Sequence, residues 1–122
     1  MGRALIAAAA ALGFVGVAAG AFGVHALRER VPEERLATFR TAAEYQLWHA
    51  LATAVAGIAS ARWASGWAAA AGWAFVAGVV LFSGSLYALS LTGKRAWGVA
   101  TPIGGVALLA AWAMLLIGMA VP

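Results

Sequence analysis

Residues 4–27, ALIAAAAALGFVGVAAGAFGVHAL, contain no Lys, Arg, Asp or Glu. At 1.5 Å per residue such a helix reaches about 36 Å, enough to cross a hydrocarbon core of about 30 Å. A cleaved signal peptide is the rival reading, with Arg3 ahead of an apolar run and Ala19-Gly20-Ala21 as small residues for a peptidase. The run is longer than the usual apolar segment of about 7–15 residues in a signal, so it reads as a membrane span.

The rest of the chain agrees with that start. Of 122 residues, 65% are apolar and 10% charged, against about 45–50% and about 25% in a soluble domain. Spans of about 20 residues consume such a length quickly, which leaves no room for a separate catalytic domain. Spans are expected at about 4–27, 41–61, 67–91 and 100–121. Val31-Pro32-Glu33-Glu34 reads as a helix start, because Pro lacks an N–H to satisfy and acidic groups suit the positive end of the helix dipole. Leu36, Phe39, Ala43 and Leu47 then recur at helical spacing, either as a short interfacial helix or as an extension of the second span. The expected fold is an all-α integral membrane bundle of four transmembrane helices, with a short amphipathic helix before the second span.

With no Cys there is no disulfide framework, thiolate metal site or cysteine nucleophile. The formal charge is +4, but the Arg and Glu residues between Arg28 and Glu44 cancel. The surplus lies at Arg3, Arg62, Lys94 and Arg95, which forms neither a nucleic-acid stripe nor a polybasic lipid-binding segment. Arg3 and Arg62 fall on one side of an even-numbered bundle, and Arg28, Arg30, Arg35, Arg40, Lys94 and Arg95 on the other. The excess of positive residues predicts that the first and third loops are cytoplasmic and both termini outside. Trp63 and Trp67 then suit the outer interface, Trp48 and Trp97 the inner one, and Trp73 and Trp112 lie deeper.

Gly13, Gly16, Gly20 and Gly23 line one face of the first span and suit close helix packing. A dinucleotide loop is excluded, because no strand precedes them. In the second span Tyr45, His49 and Thr53 share a face with Gln46 beside them, while Glu44 lies nearer Arg40, its i, i+4 partner. His49 sits about 13 Å along the helix from Arg40. An ionisable group at that depth is a functional candidate, or else a neutral imidazole bonded across helices to Tyr87, Ser90 or Gln46. In the third span Ser83, Tyr87 and Ser90 share one face and Ser85 the other; no nucleophile elbow is present. Thr101-Pro102-Ile103-Gly104-Gly105 resembles a helix start whose uncovered amides can hold an anion or a carbonyl oxygen, or a plain start with glycines for packing.

His25, Glu44, Tyr45, Gln46, His49, Ser83, Tyr87, Ser90, Thr101, Gly104 and Gly105 all fall toward the predicted cytoplasmic half. They are the expected lining of an asymmetric polar pocket. No catalytic residue, metal site or cofactor is expected, since two His without Cys or a nearby Asp do not make a ligand set.

The blocks GAFGVHAL (20–27), TAAEYQLWHAL (41–51), FSGSLY (82–87) with Leu91-Thr92-Gly93, and TPIGG (101–105) resemble the small inner-membrane family catalogued as domain of unknown function 423, which is similar to an animal mitochondrial membrane protein. The resemblance covers essentially the whole chain, with His25, Tyr45, Gln46, His49, Ser83, Ser85, Tyr87 and Thr101 at its motif positions. It implies a four-span protein of the bacterial inner membrane and no established activity.

The favoured expectation is a small homo-oligomeric channel or transporter for protons, ions or a small polar solute, surrounded by the lipid bilayer, with His49 as its gate. Against that stands the lack of paired intramembrane carboxylates. The alternative is a structural or assembly protein whose polar residues join helices or a partner subunit. A lipid- or quinone-acting enzyme ranks third, since His49 has no evident acid or nucleophile partner.

Overall fold

The structure, a computed structural model, describes residues 2–121 and is helical almost throughout. Helix α1 (Gly2–Ala18) passes through a π-helical turn, Ala19–Gly23, into α2 (Val24–Leu27). A bend leads to α3 (Glu33–Arg62), followed by α4 (Gly66–Thr92), a 3₁₀ turn at Arg95–Val99, and α5 (Ala100–Ala120). The long helices run antiparallel in chain order: α3 packs between α1 and α4, and α4 between α3 and α5.

Each boundary has a local cause. The Ser65 hydroxyl accepts from the Ala68 N–H and caps α4. Gly93 ends that helix at φ 70° with its N–H on the Leu89 carbonyl, a left-handed position that glycine occupies without Cβ strain. Beside it, Arg35 donates from Nε to the Ser90 carbonyl at 2.9 Å and from a terminal nitrogen to the Leu91 carbonyl at 3.3 Å. These are carbonyls that a helix end leaves without partners of its own. The α3–α4 turn, in contrast, places its left-handed residue at Ala64, φ 49°, rather than at Gly66.

The short amphipathic helix expected before the second span is not a separate element. Pro32 precedes the helix and its carbonyl accepts from Arg35 and Leu36, and α3 then runs unbroken for 30 residues. Leu36 and Phe39, the apolar side of that segment, are buried against Val24 of α2, so packing holds it in line with the rest of α3.

Among the described residues three segments are long and apolar enough to cross a membrane: Gly2–Leu27, Gly66–Thr92 and Arg95–Ala120. α3 is long enough but more polar, because Gln46, His49, Thr53 and Ser60 interrupt its apolar stretch. All four are buried against other helices, so the most polar helix is an inner one. The flanking helices turn apolar side chains outward, among them Phe14 and Phe22 of the first segment and Ile103, Leu109 and Leu116 of α5.

Glycines set the spacing between helices. A Cβ at Gly16 would lie 2.9 Å from Leu47, one at Gly23 would lie 2.8 Å from the Phe39 ring, and one at Gly20 would meet Ala43 at 3.8 Å. Three members of the expected packing stripe therefore face α3 of the same chain. Gly13, the fourth, faces open space and lines a shallow groove with Val17, Leu47 and Leu51. At the other end Leu5 fills the hollow over Gly72, where an added Cβ would come within 2.6 Å of it.

Candidate functional site

Gln46, Ser83, Ser85, Tyr87 and Thr101 are bonded to one another or to backbone, helix to helix. The Gln46 side chain joins three helices: its Nε2 donates to the Leu12 carbonyl of α1 at 2.9 Å, and its Oε1 accepts from the Tyr87 hydroxyl of α4 at 2.7 Å. The Ser83 hydroxyl donates to the Ala42 carbonyl at 2.8 Å, a second α4–α3 link. Ser85, on the opposite face of α4, meets the Thr101 hydroxyl of α5 at 2.6 Å. The opposed faces read from the spacing of Ser83, Ser85 and Tyr87 thus meet two different helices. Ser90 folds back onto the Tyr87 carbonyl, as serines in apolar helices commonly do.

His49 is bonded at both ring nitrogens. Its Nδ1 lies 2.7 Å from the Tyr45 carbonyl, which only a donor satisfies, so the hydrogen sits on Nδ1. Its Nε2 accepts from the Trp112 indole N–H at 3.2 Å. Both ring nitrogens are thus partnered within the protein, and the imidazole packs in an aromatic cluster with Phe75, Trp112 and Tyr45. The cross-helix partner is therefore Trp112 of α5, not Tyr87, Ser90 or Gln46. Among the described residues no buried side-chain nitrogen or oxygen lacks a hydrogen-bond partner.

The remaining expected residues lie apart. His25 borders a surface hollow with Arg28, Glu29 and Arg30. Glu44 is exposed and lines a shallow depression with Gly20, Val24 and Arg40. The expected Arg40–Glu44 pair does not form: Arg40 reaches back two turns to Glu33 at 3.3 Å. That pair is largely exposed and contributes about 0–1 kcal/mol.

The reading of Thr101 to Gly105 as a bare helix start also changes. The 3₁₀ turn runs directly into α5, with Val99 already helical, so Thr101 lies inside the helix and spends its hydroxyl on Ser85. Gly104 lies against the Phe82 backbone, where an added Cβ would come 2.8 Å from the Phe82 Cα. Its role is close packing. Of the expected residues, Tyr45, His49 and Gly105 do share a cavity, a lateral cleft of about 470 Å³ completed by Phe82, Pro102 and Trp112. That cleft is mainly apolar, and the single polar pocket expected from the sequence is divided into a bonded band, this cleft and two surface hollows. Phe82 and Trp112 escaped the sequence reading because aromatic residues in a span are ordinary packing groups, and periodicity does not reveal which helix they meet. Among the described residues no three His, Asp or Glu side chains converge to hold a metal ion.

Comparison with known proteins agrees with the membrane character. The family described as a protein of unknown function (DUF423) matches residues 19–105. The chain is 41% identical over 116 residues to the inner membrane protein YgdD of Escherichia coli K12, covering 95% of this chain and 88% of that one. It is 39% identical over 102 residues to the membrane protein YwdK of Bacillus subtilis 168, covering 83% of each. A membrane protein of Staphylococcus haemolyticus is 39% identical over 107 residues, covering 83% of this chain and 82% of that one. No solved structure matches.

Proposed function

This chain belongs to the DUF423 family of membrane proteins of unknown function, and from that premise we propose that it is a four-span inner-membrane protein with a structural or assembly role. α3 is the fourth crossing in this reading. Its polar side chains are buried between neighbours rather than turned to lipid, and in hydrocarbon such groups persist only when bonded inside the protein. Both termini lie on the outer side, as the concentration of Arg and Lys in the first and third loops supports.

The observation that carries the structural role is the pairing of Gln46 with Leu12 and Tyr87, repeated by Ser83, Ser85 and His49. Polar groups that serve a conduction path must exchange partners with the passing solute. Here each buried group already has a fixed partner on the protein. His49, the group a proton path would use first, has both nitrogens committed, which also leaves neither for acid–base catalysis.

Proteoliposomes carrying a trapped pH dye test the reading. With an imposed proton or potassium gradient, the expected leak equals that of protein-free vesicles. A leak that rises with protein content and disappears in His49→Ala would replace the structural reading with a transporter.

A further inference from the structure

The cleft of about 470 Å³ between α3, α4 and α5 has its own chemistry. It runs along α5 from Pro102 to Trp112, about 15 Å, and its volume lies within the range of about 300–1,000 Å³ typical of small-molecule sites. Val106 and Leu109 make one wall, both exposed. Its side is open, and α5 lies in a segment apolar enough to cross a membrane, so what meets that opening is lipid. Polar groups border it in two places. At the deep end the His49–Trp112 bond is closed on itself. Nearer the loop end Tyr45 is 42% exposed, and its hydroxyl has no partner among the described residues.

We propose that this cleft holds one acyl chain of a bilayer glycerolipid, whose ester carbonyl accepts a hydrogen bond from the Tyr45 hydroxyl. One free donor at one end and an apolar length beyond it match an amphiphile with a single polar end. A quinone would place carbonyls on both sides of its ring, and the deep donor, the Trp112 N–H, is already used. A free polar solute would leave most of its groups unbonded against Val106, Leu109 and Pro102. Tyr45 lies about 7.5 Å along α3 from Arg40, at the level where a span passes from charged to apolar residues. His49 borders the deep end and holds Trp112 there as a wall, with both of its ring nitrogens already bonded within the protein.

Gly105 allows a specific test. A Cβ there would meet only the Phe82 ring, at 3.9 and 4.0 Å, so a larger side chain enters the cleft without forcing α4 and α5 apart. Vesicles containing a phosphatidylcholine with a photoactivatable diazirine in its acyl chain are illuminated, and labelled peptides are mapped by mass spectrometry. The expected result is label at Val106 and Leu109 in excess of that at Phe14 and Phe22 on the outward face of the first span. Gly105→Leu abolishes the excess and leaves labelling of Phe14 and Phe22 unchanged. Tyr45→Phe, which keeps the ring against Phe82 and so guards against misfolding of the first variant, weakens it about fivefold, the loss of one hydrogen bond. Equal labelling of the two faces in the wild type, or an excess that survives both substitutions, would overturn the site. Label on neither face would overturn the membrane placement of α5 that the site rests on.

Discussion

The two ends of this bundle hold their helices together by different means. Toward the α3–α4 turn, contact is made by small residues: Leu5 lies over Gly57 and Gly72, and Ala52, Ala56 and Ala71 surround Phe75. Toward the opposite end, Gln46, Ser83, Ser85, Tyr87 and Arg35 tie helix to helix by hydrogen bonds. Inside a bilayer the hydrophobic effect does not draw apolar helices together, so close packing and polar bonds must do so. Small residues permit approach at many rotations, whereas a bond from Gln46 to the Leu12 carbonyl fixes one. The apolar end supplies contact, and the polar end fixes register.

Substitutions can test that division. The largest effect is expected at the apolar end, from Gly72→Leu. Leu5 already occupies the space that even a Cβ there would need, and overpacking costs about 1–3 kcal/mol or more. Denaturation in mixed micelles should show it, and Leu5→Ala in the same chain should recover part of the loss. A rescue of nothing would mean that α1 does not seat over Gly72.

At the polar end Gln46→Leu removes two bonds and strands the Tyr87 hydroxyl, for about 1–2 kcal/mol. A double-mutant cycle with Tyr87→Phe should be non-additive, since the two share one bond. Additive losses would separate them. Arg35→Ala should cost about 1 kcal/mol by freeing carbonyls at the end of α4, visible as faster amide exchange near Leu91 and Gly93. Ala64→Gly should raise stability by a few tenths of a kcal/mol, because relief of a left-handed alanine slightly exceeds the entropy glycine loses on folding. Gly13→Ala should change the folded chain by less than about 0.5 kcal/mol, since nothing within 4 Å meets the new Cβ. A loss of association between copies in that variant would identify the shallow groove as a contact between chains.

Much of the fold was legible because bilayer thickness and helix chemistry act locally. Uncharged runs lie in the three segments apolar enough to cross a membrane, and the end expected near residue 91 falls beside Gly93, whose positive φ closes α4. The spacing of Ser83, Ser85 and Tyr87 correctly divided α4 into two polar faces. What could not be read was which partner each face would meet. His49 bonds to Trp112, 63 residues away, and no periodicity within α3 contains that information. The α5 start was misread for a related reason: Thr-Pro opens many helices, but here the preceding 3₁₀ turn already supplies helical backbone, so Thr101 is free to bond Ser85. Arg40 chose Glu33 over Glu44 because an exposed arginine reaches either along one helix face, and sequence spacing alone does not rank them.

On the proposed structural role, the band around Gln46 and Ser83 is dry and serves to hold helices, not to pass solute. The chain contains no Cys, so single cysteines report without background. Ser83→Cys is nearly isosteric, and with Arg95→Cys as the exposed control it can be challenged in proteoliposomes with a small hydrophilic thiol reagent. The account predicts rapid labelling at position 95 and none at position 83 until the protein is denatured. Labelling at position 83 in the folded protein, and its protection by a solute on either side of the membrane, would show that water enters the band and contradict the structural role.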